Sequence, residues 1–287
     1  MAVEVARDKD REVRMLDWAQ MSRAERDAAY NNAAAVEDSA EWISKWQALS
    51  AKRRDRNDAV LDVAYGPKQR NKIDIFSSGN PSAPTLVYIH GGYWQRGGRE
   101  WYSCMGEGVE AHGWSSAIVG YTIAPEARLS EIVVEIHTAV AWLAENASKY
   151  KLGCPFVLAG WSAGGHLTAL GLNAPPATAG LAISGIYELG PIRDTYLNEK
   201  LSLSDDEVER YSPMRLPAVP KPLAIAYGTR ELPRLVHDSR ALHELRSSAH
   251  IGGALIPIPG RNHFDALEEL RKPEGMLTRA ALELVPA

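Results

Sequence analysis

From about residue 59 onward, short apolar runs rich in β-branched residues alternate with longer stretches of helical period. That is the pattern of an α/β domain built on a mostly parallel sheet. Eight strands are predicted: "AVLDVAY" (59 to 65), "NKIDIFS" (71 to 77), "TLVYIH" (85 to 90), "SSAIVGY" (115 to 121), "FVLAG" (156 to 160), "GLAISG" (180 to 185), "PLAIAY" (222 to 227) and "GALIPIP" (253 to 259). The first two alternate apolar with polar positions around the turn-rich "GPKQR", which predicts an antiparallel pair at one sheet edge. Later strands are nearly continuous apolar runs, as strands covered by helices on both faces must be. Helices are predicted over Arg99 to His112, Leu129 to Ser148, Ala163 to Asn173, His237 to Ala249 and Asp265 to Lys272.

Two segments fall outside this alternation. Residues 1–58 form a charged, helix-prone lead-in expected to pack on or cap the α/β domain of residues 59–287, with Trp42 and Trp46 on one helical face. Residues 186–221 are too long for an ordinary loop and carry Pro, Gly and short amphipathic pieces, which predicts a lid-like insertion.

Composition narrows the classes. A chain of 287 residues with 45% hydrophobic content can bury a full core, and a net charge of -4 with scattered basic residues argues against a nucleic-acid partner. The one dense basic run, "KRRDR" at Lys52 to Arg56, is interrupted by an acid and reads as a solvated helix face. Two cysteines, Cys104 and Cys154, with no CxxC and no Cys/His cluster, fit a reduced, cytoplasmic protein and predict no metal site. The charged N-terminus does not read as a signal peptide, and "EIVVEIHTAVAWLA", the most apolar stretch, is too short and too acidic to span a bilayer.

The strongest chemical signal is "FVLAGWSAGGHL", a strand followed by Gly160-Trp161-Ser162-Ala163-Gly164 and a helix-forming stretch. The spacing matters because the serine must sit in a tight strand-to-helix turn, where a side chain two positions away would strike neighbouring backbone. Ser162 is therefore the expected nucleophile. A serine needs a base and an orienting acid, in the chain order Ser, acid, His for this topology. His263, in "PIPGRNHFD" just after the last strand, is the expected base; His237, His243 and His250 lie within or at the end of a helix, and His166 is expected to pack. Glu231, three residues past Gly228, is favoured as the acid, with Asp238 as the alternative; Asp265 is too close in sequence to His263.

The stretch "HGGYWQRGG" leaves the third strand at the same sheet edge as the serine. Its glycines let backbone N–H groups approach a substrate oxygen, so Gly91, Gly92 and Tyr93, with Ala163 at the helix start, form the expected oxyanion hole. His90 precedes the serine and reads as a structural anchor. Tyr93, Trp94, Trp161 and Tyr187 are candidates for an aromatic substrate pocket.

These residues carry a resemblance. "HGGYWQ" (90 to 95), "YTIAPE" (121 to 126), "GWSAGGHL" (160 to 167), "SGIYELGPI" (184 to 192), "YSP" (211 to 213) and "NHFD" (262 to 265) make the chain similar to the kynurenine formamidase (arylformamidase) branch of the α/β-hydrolase superfamily. That branch neighbours the hormone-sensitive-lipase-like esterases. The resemblance implies an α/β-hydrolase fold and hydrolysis of an N-formyl aryl amine by Ser162, Glu231 and His263, without metal or cofactor. It also implies a small aromatic amide or ester as ligand, and a homodimer. One departure is Glu231-Leu-Pro-Arg-Leu235 where the family usually has Asp-Ser-Pro-Glu-Phe. A carboxylesterase, an amidase for another aromatic acyl compound, and a non-catalytic ligand-binding relative are the competing expectations.

Overall fold

The computed structural model describes residues 18–285, so residues 1–17 of the lead-in lie outside the described residues. All eight predicted strands form: β1 (Ala59–Ala64), β2 (Lys72–Phe76), β3 (Thr85–Ile89), β4 (Ser115–Val119), β5 (Phe156–Trp161), β6 (Ala177–Ile183), β7 (Leu223–Gly228) and β8 (Leu255–Ile258). They make one mixed sheet in the order β1-β2-β4-β3-β5-β6-β7-β8. β2 runs antiparallel to both β1 and β4, and every pair from β4–β3 onward is parallel.

β3, β4, β5 and β7 are buried at every position, because helices cover both faces of the sheet. Alternate residues divide between two cores. Val87, Ile89 and Leu158 pack with the helices Leu129–Asn146 and Ala163–Gly171 on one face. Leu86, Tyr88, Val157 and Ala159 pack on the other face with Trp46, Met105, Val109, Leu267 and Leu277. β3 and β5 end side by side, with Ile89 opposite Gly160, which sets the "HGG" loop against the serine turn.

Three helices depart from the pattern read in the sequence. The stretch from 99 to 112 breaks into Arg99–Tyr102, a 3-10 turn Ser103–Gly106 and Glu107–Glu110. The glycines responsible serve close approach: a Cβ on Gly106 would lie 2.3 Å from Ser116 Oγ, and one on Gly108 2.3 Å from the Leu270 carbonyl. The helix predicted from His237 begins at Pro233, where a missing N–H costs nothing. The stretch from 265 to 272 splits into a 3-10 turn Asp265–Leu267 and the short helix Glu268–Arg271, and a further helix, Met276–Glu283, follows. No helix among the described residues is long and apolar enough to cross a membrane.

The lead-in folds as short helices ending in Ser39–Arg54. That helix is fastened by Trp46, fully buried, whose indole Nε1 donates to Glu268 Oε1 at 2.7 Å, while Lys45 Nζ reaches Glu268 Oε2 at 2.9 Å. Residues 186–221 hold the short helices Asn198–Leu201 and Asp205–Tyr211, the second started by a capping box of Ser204 and Glu207. This insertion is tied to the helix Leu129–Asn146 where Arg128, just before it, pairs with Glu207 at 2.7 Å, and is braced internally by Arg215 and Glu188 at 2.7 Å.

Candidate active site

Ser162 follows β5 with φ 58° and ψ -120°, a conformation that costs a non-glycine residue on the order of 1–3 kcal/mol. Two glycines make the turn possible. A Cβ on Gly160 would lie 2.2 Å from the Gly164 carbonyl oxygen, and one on Gly164 2.0 Å from that of Ile89. The turn is held where Ser162 N–H donates to Ile183 O at 2.8 Å and His166 N–H donates to Ser162 O at 3.1 Å.

His263 stands on the loop after β8, and its Nδ1 meets Glu231 Oε2 at 2.8 Å. The Glu231 carboxylate is fully enclosed. Its other oxygen, Oε1, accepts from Ser184 Oγ at 2.6 Å and from Gly228 N–H at 2.5 Å. Three partners thus fix one carboxylate and turn one oxygen to the imidazole. The His263 ring lies against Trp161, whose indole Nε1 donates to the His263 carbonyl at 2.8 Å. Among the described residues neither Ser162 Oγ nor His263 Nε2 is held by a hydrogen bond, and both residues line one cavity.

Asp238, the alternative acid, is buried elsewhere, 3.2 Å from Arg234 Nε and 3.3 Å from His237 Nδ1. Asp265 is spent on its own turn, accepting from Asn262 N–H at 2.6 Å. Ser184 escaped the sequence reading; the signal available was a serine followed by glycine at the end of β6, and its φ of 51° marks the same kind of turn as Ser162.

The "HGG" loop closes the other side. His90 is fully buried and stacks on Tyr121 with ring centroids 4.2 Å apart; its Nδ1 donates to Gly91 O at 2.8 Å. Burial pushes its pKa from 6.5 to about 4, so it stays neutral as an anchor. Gly91 backs onto the serine: a Cβ there would lie 2.7 Å from Trp161 O and 3.1 Å from Ser162 Cβ. Gly92, Tyr93 and Trp94 follow with φ of 116°, 52° and 57°, three successive residues of positive φ that fold the loop back so that Arg96 N–H donates to Gly92 O at 3.1 Å.

Of the four aromatics expected at the substrate, Tyr93 and Trp161 line the cavity; Trp94 and Tyr187 do not. Trp94 is turned inward and meets the His166 ring edge-on at 5.0 Å, and Tyr187 is sealed beneath Gly185. Trp101, Tyr102 and Phe264 complete the aromatic wall of a cavity of about 420 Å³. Its roof is the lead-in, through Asn32, Ala33, Ser39, Ala40, Ile43 and Ser44. Residues 186–221, expected to cover the site, contribute none of this lining. His166 packs, with Nε2 donating to Tyr211 O at 2.7 Å.

With this geometry in place, the likenesses of the chain become informative. The sequence profile of the BD-FAE family matches residues 73–175. The kynurenine formamidase of Danio rerio is 26% identical over 94% of this chain and 99% of its own length, and that of Salmo salar 28% identical over 79% and 82%. Esterase LipC of Mycobacterium tuberculosis is 28% identical over 73% of this chain and 60% of its own length. A solved structure from Silicibacter sp. superposes with a TM-score of 0.78 at 29% identity, covering 89% of this chain and 98% of that one. Esterase B from Lactobacillus rhamnosis, at 18% identity and a TM-score of 0.67, shares the fold. The chain is an α/β-hydrolase of the serine-hydrolase type, acting on amide or ester bonds. Within that class it is kynurenine formamidase-like.

Proposed function

We propose that the protein hydrolyses the formamide bond of an N-formyl aryl amine of the N-formylkynurenine type, releasing formate and the free amine. Ser162 Oγ attacks the formyl carbon while His263 Nε2 takes its proton, and Glu231 holds the imidazole in the tautomer that leaves Nε2 free. The tetrahedral oxyanion is received by N–H groups of Ala163 and of the Gly91–Tyr93 turn, each donor being worth about 3 kcal/mol in the transition state. Collapse expels the aryl amine with the proton from His263 and leaves a formyl ester on Ser162. Water, deprotonated by His263, then releases formate. The contact between Ser162 and His263 tightens once substrate fills the cavity, as is usual between free and occupied hydrolases.

The observation that carries this reading is an aromatic-walled cavity onto which Ser162 and His263 both open, in a chain similar over 94% of its length to a kynurenine formamidase. An aryl ring fits between such walls by stacking and edge contacts. The test compares kcat/KM for N-formylkynurenine and phenyl acetate, in the parent and in Ser162→Ala. The parent is expected to prefer the formamide and the variant to lose turnover of both. A large ester preference replaces the formamidase reading with a carboxylesterase, and turnover retained by folded Ser162→Ala overturns the serine mechanism.

A further inference from the structure

Apart from His263, Arg96 is the one ionisable basic side chain lining the cavity around Ser162 among the described residues, and no acidic side chain shares that lining. The loop that carries it is rigidly held. Gln95 Nε2 donates to Leu197 O at 2.7 Å, Arg70 Nη1 donates to Gly97 O at 2.9 Å, and Arg96 N–H donates to Gly92 O at 3.1 Å. The next arginine along, Arg99, is consumed by Asp62 and Asp74. The Arg96 guanidinium pairs with no carboxylate and no carbonyl among the described residues. Its stem passes over Gly92, with Cγ 3.2 Å from where a Cβ would stand, so the charge is carried from beside the oxyanion turn.

A second residue of the same lining carries an unmatched polar atom. Tyr93 Oη gives its proton to the Tyr30 carbonyl, so it can only accept from its other neighbour, Asn32 Nδ2, at 2.9 Å. That fixes the amide of Asn32, which is buried and lines the cavity, with Oδ1 meeting no donor in the described protein. Buried acceptors are rarely left so.

We infer that Arg96 is the residue that sets substrate charge: it binds a carboxylate carried by the substrate remote from the scissile carbonyl, while Asn32 Oδ1 accepts from a cationic donor beside that carboxylate. An aryl formamide with an α-amino-acid head offers both groups. The inference rests on the reading of Ser162 as nucleophile in this cavity. A guanidinium in an aromatic-walled site, free of competing acids, binds a carboxylate through two parallel hydrogen bonds and gains from the low local dielectric.

The test uses substrate pairs that differ in charge. In the parent and in Arg96→Gln and Arg96→Lys, kcat/KM is measured for N-formylkynurenine and for 2-formamidoacetophenone, which keeps the aryl formamide and lacks the amino-acid head. The ratio of charged to neutral substrate is expected to fall roughly 10- to 100-fold in Arg96→Gln, mostly through KM, and to recover largely in Arg96→Lys. An unchanged ratio, including one in which both substrates lose activity equally, overturns the inference. If the parent cleaves esters and not formamides, 3-acetoxybenzoate and phenyl acetate replace the pair, so loss of the formamidase reading and loss of the Arg96 reading give different results. For Asn32, the advantage of N-formylkynurenine over its des-amino acid is expected to vanish in Asn32→Ala. A preserved advantage removes Asn32 from the site.

Discussion

His166 offers a measurable consequence of packing a titratable ring behind the Ser162 turn. It is fully buried: Nε2 donates to Tyr211 O at 2.7 Å, Nδ1 has no partner among the described residues, and Trp94 lies edge-on to the ring. Protonation would add a charge and a second N–H with nowhere to donate, and burial accordingly pushes the pKa from 6.5 to about 4. A folded-state value below the unfolded one means that the stabilising contribution is complete above pH 6.5 and is lost as pH falls toward 4. Between pH 7.5 and 5 the unfolded ring takes up nearly a whole proton and the native ring about a tenth of one, a loss of about 2 kcal/mol from this residue. Urea unfolding at pH 7.5, 6.5, 5.5 and 5.0, for the parent and for His166→Gln, isolates it. Gln keeps a donor for Tyr211 O and does not titrate, so the parent is expected to lose about 2 kcal/mol more than the variant over that range. Carboxylates whose pKa lies below 4.5, such as Glu207 and Glu268, affect both proteins alike and only at lower pH. Parallel stability curves for the two proteins would refute the argument.

The acid is tested by pairing Glu231→Gln with Asp238→Asn. The first is expected to lower kcat by roughly three to four orders of magnitude through loss of the imidazole tautomer. The second should leave kcat within a few-fold while lowering the urea midpoint, because Arg234 loses its buried partner. Ser184→Ala removes one of the donors that hold Glu231 and is expected to cost about 10-fold in kcat with little change in KM. The acidic limb of its pH profile should shift as well, and an unaltered profile with unaltered kcat would make Ser184 merely structural.

The strands and the serine turn were legible in the sequence because both are local. Alternating or continuous apolar runs need only their own period, and Gly160 and Gly164 answer to backbone a few residues or one strand away. Of the two candidate acids, distance from Gly228 pointed to Glu231, which the structure sets beside His263; that Asp238 pairs with Arg234 instead depends on the helix beginning at Pro233, which sets Asp238 one turn past Arg234. Trp94 and Tyr187 were misplaced because an aromatic beside glycines carries no sign of which side of its loop it takes. The positive φ values at Tyr93 and Trp94 decide that, and they follow from contacts with Tyr30, Asn32 and His166. The roof over the cavity was hidden for a similar reason: Trp46 and Glu268 meet across 222 residues, a pairing no periodicity announces.

That pairing bears on how the protein comes into being. The cavity takes its roof from Asn32 to Ser44 and its far wall from His263 and Phe264, and the clasp that seats the roof, Glu268, comes later still. A chain emerging from the ribosome therefore carries the roof and then the serine turn long before it carries the base or the clasp. A chain that stops short of Glu268 lacks the residue that clasps the roof, and Ser162 shares no cavity with His263 until β8 and the loop after it have been made.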